Sequence, residues 1–232
     1  MIMLNLVRTK EEKYLLESTL PKLNVVSLEL SLNKNISIKP ISKPNIILIE
    51  ELKKQKEFCI WYSSNSAEDL NFYYYLIDVI CENIDNPIIN VINVYEYSKM
   101  LDSLLCCFYN QICRLAKRKK SLTKEKIQED LKYYRMLDNS DLRAIKDKVL
   151  VSITYEEVSK EILERLSKYN EISIITFVAR DLLVPKLFSF TDIFTWDYLM
   201  ESLIEEGKIK VIREEKQEDS AFKIDTRIIS IE

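Results

Sequence analysis

The chain contains no histidine and a single glycine, Gly207, in 232 residues. Without imidazole, a Ser-His-Asp triad, a Cys-His dyad and the usual histidine metal sites cannot be built. One glycine near the C-terminus cannot supply a P-loop or a dinucleotide fingerprint, which need several where backbone closes on phosphate. No apolar run approaches the roughly 18 residues of a membrane span. The N-terminal stretch MIMLNLVRTKEEKYLLE turns charged after seven residues, unlike a signal peptide. Neither charge dominates: 34 Lys and Arg stand against 37 Asp and Glu, a net charge of −3. That balance predicts solubility and no global attraction to nucleic acid, so such binding would need a local patch.

What is present is ordinary for a globular protein: 47% apolar and 31% charged residues, in a length that fits one large domain or two small ones. The five cysteines (Cys59, Cys81, Cys106, Cys107, Cys113) form an odd set inside apolar segments. They are expected to be reduced core residues of a cytoplasmic protein rather than a secreted disulfide framework. Cys106, Cys107 and Cys113 lack CxxC spacing and have no histidine to complete a zinc site, so no metal or cofactor is expected.

Along the chain, short apolar runs alternate with amphipathic stretches over residues 1–96. Met1 to Val7 reads as a strand, and Thr9 with Glu12 as the capping box of a helix that Pro21 ends. Val25 to Leu30 is a second strand, residues 31–45 look irregular, and Ile46 to Lys56 has helical spacing. Phe58 to Tyr62 reads as a buried strand, and Ser66 opens a helix with Leu70, Tyr73, Ile77, Ile80 and Ile84 on one face. Ile88 to Val94 is rich in β-branched residues. This alternation predicts a small Rossmann-like parallel sheet domain over 1–96. Residues 97–232 predict an α-rich domain. One helix ends in Arg114–Lys120, another runs from the Ser121–Thr123 cap to Met136, Asp138–Asp141 turns, and two short strands flank Lys146-Asp147. Helices at 155–169, 171–184 and 191–206, then β runs at 208–213 and 222–231 joined by EEKQEDSA, give a winged-helix-like unit over about 155–232.

Several segments resemble an uncharacterised bacterial family that joins two domains of unknown function, numbered 1835 at the N-terminus and 3658 at the C-terminus. The N-terminal likeness lies in Leu30-Ser-Leu-Asn-Lys-Asn-Ile-Ser-Ile-Lys-Pro-Ile41, Ile60-Trp-Tyr, and Asp69-Leu70 with its apolar helix. The C-terminal likeness lies in Leu122-Thr123, Asn139 to Arg143, Leu150-Val-Ser152, Tyr155, Ile162-Leu163 and Leu203-Ile-Glu-Glu-Gly-Lys-Ile209. The resemblance implies no established activity. Where the family has a Gly/Ser-rich turn after the first strand, this chain has Arg8-Thr9-Lys10, and Lys39 replaces the glycine of its G-P-I stretch.

Three surfaces are candidates for function. The loop Ser63, Ser64, Asn65, Ser66 with Asp69 follows a parallel strand, where α/β ligands sit, and could hold an anion on backbone N–H groups. Equally, Ser66 could simply cap its helix with Asp69 supporting the cap. From Arg114 to Lys126 seven basic residues (Arg114, Lys117, Arg118, Lys119, Lys120, Lys124, Lys126) oppose Glu125, a local charge of +6 suited to phosphate contacts or to a solvated elbow. Tyr73, Tyr74 and Tyr75 cannot all face one way on a helix and suit either an interdomain or a homodimer contact. The 191–206 helix carries Asp192, Asp197, Glu201, Glu205 and Glu206 and no Lys or Arg, which argues against DNA readout and suits either a basic protein surface, through Asp197 and Glu201, or packing on the partner domain.

For catalysis only carboxylates, Lys, Tyr, Ser and Cys remain, and no spacing pairs them, so the reading leans away from an enzyme. The favoured expectation is a cytoplasmic, non-enzymatic regulatory protein acting through a protein partner or homodimer. One alternative is a nucleic-acid-binding regulator using residues 114–126. The other is an enzyme or nucleotide sensor with its ligand at Ser63–Asp69.

Overall fold

Alternation along the strands decides the layering. A computed structural model describes residues 3–28, 46–99, 103–137, 142–146, 149–183, 193–214 and 227–231. Contacts divide the chain into two units, Met1–Ser152 and Ile153–Glu232. The irregular stretch 31–45, the turn 138–141 and most of the EEKQEDSA loop lie outside the described residues, as do Leu30 to Ile41 of the N-terminal resemblance.

Unit 1 is built on a five-stranded sheet of β1 (Leu4–Val7), β2 (Asn24–Ser27), β3 (Glu57–Tyr62), β4 (Ile88–Asn93) and β5 (Lys120–Ser121), in the order β2-β1-β3-β4-β5. The first four are parallel, and β5 joins β4 antiparallel as an edge. Because successive strand residues point to opposite faces, Phe58 and Ile60 enter one core while Cys59 and Trp61 enter the other. On the first face α3 (Ala67–Asn83) and α6 (Lys124–Met136) pack through Leu76, Ile77, Ile80, Ile127 and Leu131. On the second, α1 (Lys10–Thr19) and α5 (Tyr109–Ala116) pack through Leu16, Ile112 and Leu115. The remaining elements of this unit are α2 (Ile46–Lys53), α4 (Val94–Tyr97), a 3-10 turn at Leu104–Cys106, and the pair β6 (Leu142–Lys146) and β7 (Val149–Ile153). Residues 97–152, which the sequence grouped with the C-terminal half, thus cluster with the sheet: β5 extends it and α6 lies on α3. The parallel order reverses direction at β1, placing a topological switch point between the carboxyl ends of β1 and β3.

Unit 2 comprises α7 (Tyr155–Leu166), β8 (Ile172–Ser173), α8 (Ile174–Phe177) continuing as a π-helical turn Val178–Leu183, α9 (Ile193–Glu205), β9 (Lys210–Glu214) and β10 (Arg227–Ser230). Its strands form an antiparallel sheet in the order β8-β10-β9. Thr154 caps α7 with a capping box to Glu157, and Gly207 takes the positive φ of 72° that ends α9. Among the described residues no helix is long and apolar enough to cross a membrane.

Candidate functional site

At the switch point the two loops are tied together by the chain's own charges. The capping box at Thr9 forms as expected: Thr9 Oγ1 accepts from Glu12 N at 3.2 Å, and Glu12 Oε2 accepts from the amides of Thr9 and Arg8 at 3.0 and 2.9 Å. Arg8 Nε then donates to Asp69 Oδ1 at 2.8 Å, while Asp69 Oδ2 accepts from Ser63 N at 2.9 Å. Ser66 caps α3 by accepting from Asp69 N at 3.2 Å and donates to Glu68 Oε2 at 3.0 Å. Glu12, Glu68 and Asp69 are all buried, so three carboxylates gather near one partly buried guanidinium. Burial, reinforced by the neighbouring Asp69, pushes the Glu12 carboxyl up to about 7 despite Arg8 and the amides. Burial likewise raises Asp69 against the pull of Arg8. Of the four residues expected to bind a ligand here, Ser63, Ser66 and Asp69 are committed to one another and to Arg8, and Asn65 N donates to Ser63 Oγ at 3.4 Å. This arrangement matches the capping alternative for Ser66.

One strand further along the same edge a cavity of about 200 Å³ is open. Val91, Ile92 and Leu115 line it with apolar groups, and Tyr62, Asn93, Glu96, Tyr97, Arg118 and Lys120 with polar ones. Tyr62 ends β3 and Asn93 ends β4, so both stand at the carboxyl edge where parallel sheets place their ligands. Asn93 also organises the rim: its Oδ1 accepts from Ser64 N at 3.1 Å and from Tyr95 N at 3.2 Å. Tyr62 stands opposite Asn93 in the β3–β4 register, and burial raises its phenol. The Arg118 guanidinium lies over the Tyr97 ring, 4.9 Å from its centre, and Lys120 pairs with Glu96.

The basic segment is divided by its backbone. The helix expected to run to Lys120 stops at Ala116, because Lys120 and Ser121 pair with Val91 and Asn90 of β4. In the extended chain Lys119 and Lys120 point oppositely, and Lys119 meets Glu57 at 3.2 Å while Lys120 meets Glu96. Lys126 reaches Asp130 at 3.1 Å. Arg114, Lys117 and Lys124 are exposed, with no carboxylate partner among the described residues.

The tyrosine run is an internal contact. Tyr73 and Tyr75 are buried, and Tyr74 is half-buried. Tyr73 donates to buried Asp130 of α6 at 2.7 Å and stacks on Tyr62 with centres 4.5 Å apart. Tyr74 meets Tyr133 and Tyr134. Tyr73 and Tyr75 are therefore not available as a homodimer surface; the run packs α3 on α6 instead. In unit 2, Glu201 binds Arg227 of β10, with Arg227 Nη1 to Oε2 at 3.1 Å, which fastens the helix to its own sheet while the Glu201 side chain stays half exposed. Asp197 lies in α9, and its side chain is outside the described residues.

Cys59 and Cys107 are buried as expected, and burial raises their thiols to about 12 and about 11, while Cys106 is exposed. Among the described residues no cluster of three metal-ligating side chains forms. No family model, curated protein or solved structure matches the chain.

Sequence reasoning missed Asn93, Glu96 and Tyr97 as site residues. The available signal was the end of the β-branched run at Asn93, another carboxyl end of a parallel strand. It also missed Arg8, whose partner is 61 residues away.

Proposed function

We propose that this chain is a binding protein for a small ligand held at the carboxyl edge of its sheet, in the cavity between β4, α4 and the α5–β5 turn. One observation carries the reading: Tyr62, Asn93, Arg118 and Lys120 line one cavity together with the apolar residues Val91, Ile92 and Leu115. Clefts lined by apolar residues with a few polar groups, at the carboxyl edge of a parallel sheet, suit small ligands. At about 200 Å³ it is smaller than the roughly 300–1,000 Å³ of drug-sized sites, which restricts the occupant to a compact molecule. The loop after β3 contributes through Ser64, which helps to hold Asn93. We read unit 2 as winged-helix-like, a reading supported by its order of α7, β8, α8, α9 and the antiparallel pair β9 and β10. With Tyr73 and Tyr75 buried and Glu201 bound to Arg227, the geometry favours a small ligand over protein contacts through those residues.

The test is thermal melting against a set of small charged and neutral metabolites, on the wild type and on Lys120→Trp. Position 120 is exposed, so an indole there covers the cavity mouth without disturbing the core. A ligand that raises the melting temperature of the wild type alone supports the reading. No such ligand, or a shift that survives Lys120→Trp, overturns it.

A second reading is favoured by one observation, the exposure of Arg114, Lys117 and Lys124 without carboxylate partners among the described residues. These would contact nucleic-acid phosphates independently of sequence. Duplex binding that falls steeply with salt and vanishes when the three are changed to Gln would establish it.

A further inference from the structure

We infer that the group this cavity recognises is an oxyanion, a carboxylate or phosphoryl oxygen set, gripped by the Arg118 fork and the Tyr62 hydroxyl. The inference rests on the small-ligand reading above and specifies its chemistry. The charges on the lining are Glu96, Arg118 and Lys120. Glu96 is paired with Lys120, so the remaining formal charge is the guanidinium of Arg118, which has no carboxylate partner among the described residues. The Tyr97 ring supports one face of that guanidinium at 4.9 Å. A stacked guanidinium keeps its N–H groups in the ring plane, directed outward as a planar fork that matches two oxygens of one anion.

The second donor is the Tyr62 hydroxyl, beside Asn93 on the cavity lining. The Asn93 side-chain oxygen accepts two backbone amides, from Ser64 at 3.1 Å and Tyr95 at 3.2 Å. Tyr62 stands opposite Asn93 in the β3–β4 register and lines the same cavity. A neutral phenol has one proton to donate, and the Tyr62 ring is held in place by stacking on Tyr73 at 4.5 Å. Tyr62 therefore acts as a neutral donor to an acceptor-rich ligand. Burial favours the same state by raising the phenol, which keeps it protonated at neutral pH. Both donors line one cavity together with the apolar residues Val91, Ile92 and Leu115, so the ligand carries an oxyanion on a compact, partly apolar body. Lys120 is a reserve cation, freed for the anion if Glu96 turns to solvent.

Two probes distinguish the sources of the oxygens: inorganic phosphate and acetate, titrated calorimetrically at constant ionic strength with chloride as the balancing ion. The proteins are the wild type, Arg118→Gln, Tyr62→Phe and Glu96→Gln. At least one probe should bind the wild type. Arg118→Gln should weaken it tenfold or more, and Tyr62→Phe several-fold, since a hydrogen bond to a charged group is worth roughly a factor of ten. Glu96→Gln should tighten it, because Lys120 is released. Phosphate alone binding identifies a phosphoryl ligand, and acetate alone a carboxylate. Absence of binding by both probes, or equal affinity in the wild type and Arg118→Gln, overturns the inference. If both probes fail while a neutral metabolite still raises the melting temperature and Lys120→Trp blocks it, the oxyanion is wrong and the small-ligand cavity stands. If that shift is also missing, both fall.

Discussion

Two neighbouring gaps on one sheet edge have opposite fates. Between β1 and β3, where the strand order reverses, Arg8, Glu12, Glu68, Asp69, Ser63 and Ser66 satisfy one another and tie the two loops together. Beside β4, toward α4 and the α5–β5 turn, Tyr62, Asn93, Arg118 and Lys120 line an open cavity. The same kind of backbone position is structural in one gap and free in the other. The difference is the partner. Arg8 meets a buried carboxylate at hydrogen-bond distance, whereas Arg118 meets an aromatic face, which orients a guanidinium without neutralising it. Topology nominates the switch point, but the side chains decide which gap on that edge can still take a ligand.

The largest effect that would break this comparison is at Asp69. Replacing it by Ala strands a partly buried Arg8 and the Ser63 amide, and should cost ~3–5 kcal/mol in urea unfolding, as breaking a buried pair does. Arg118→Ala, at an exposed residue, should cost no more than ~1 kcal/mol. Equal losses would mean that the two gaps do not differ as described. Hydrogen exchange at the β3 and α3 amides should localise the Asp69 effect to unit 1.

Next comes the proton dependence of the sealed gap. Glu12 has an ordinary value of 4.5 and rises in the folded chain to about 7. The folded state therefore holds this proton more tightly than the unfolded one, and the stability it confers is complete below about 4.5 and is lost as pH climbs through about 7. The rise corresponds to about 3 kcal/mol, at 1.36 kcal/mol per pKa unit. Unfolding free energies of the wild type measured across that window should fall relative to those of Glu12→Gln, which keeps an acceptor for the Arg8 and Thr9 amides without the charge. Parallel curves would show that Glu12 is not the group that titrates.

A smaller effect separates packing from partner contact in the tyrosine run. Tyr73→Phe removes a 2.7 Å bond to buried Asp130 and should cost ~1.5–3 kcal/mol, the range for bonds to charged groups. Size-exclusion chromatography should show no change of oligomeric state. A stability unchanged by Tyr73→Phe, with a shifted oligomer, would restore the interface reading. The smallest effect is at the edge strand: Lys119→Ala and Lys120→Ala should each change stability by under ~1 kcal/mol, since both ion pairs lie at the surface.

How far these regions were legible depends on the distance between partners along the chain. The Thr9–Glu12 box and the Ser66 cap were readable because both bonds close within three residues, where sequence order dictates geometry. The strand and helix cores were readable from period 2 in FCIWY and period 3.6 from Leu70 to Ile84. The basic run was misread as a helix end because its local composition suits a helix C-terminus, whereas a strand begins at Lys120 only through pairing with β4, about thirty residues earlier. The segment 171–184, read as one helix, instead starts as the short strand β8 because β10 pairs with it. The boundary expected after residue 96 falls inside unit 1 for the same reason, since α5, β5 and α6 bury their apolar faces on the sheet and on α3.

Composition and periodicity by themselves determined what the chain lacks, which catalytic and phosphate-binding devices it cannot build, and that an α/β sheet unit comes first. Those conclusions depend on residue type and on contacts within a turn or a strand. Tertiary structure decided that Arg8 is matched by Asp69 while Arg118 is not, and that Tyr73 turns inward to Asp130. It also decided that Tyr62 and Asn93 line one cavity. A charge becomes a structural tie or a free recognition group according to what the fold brings within about 3 Å of it, and that distance is set by chain crossings no local pattern encodes.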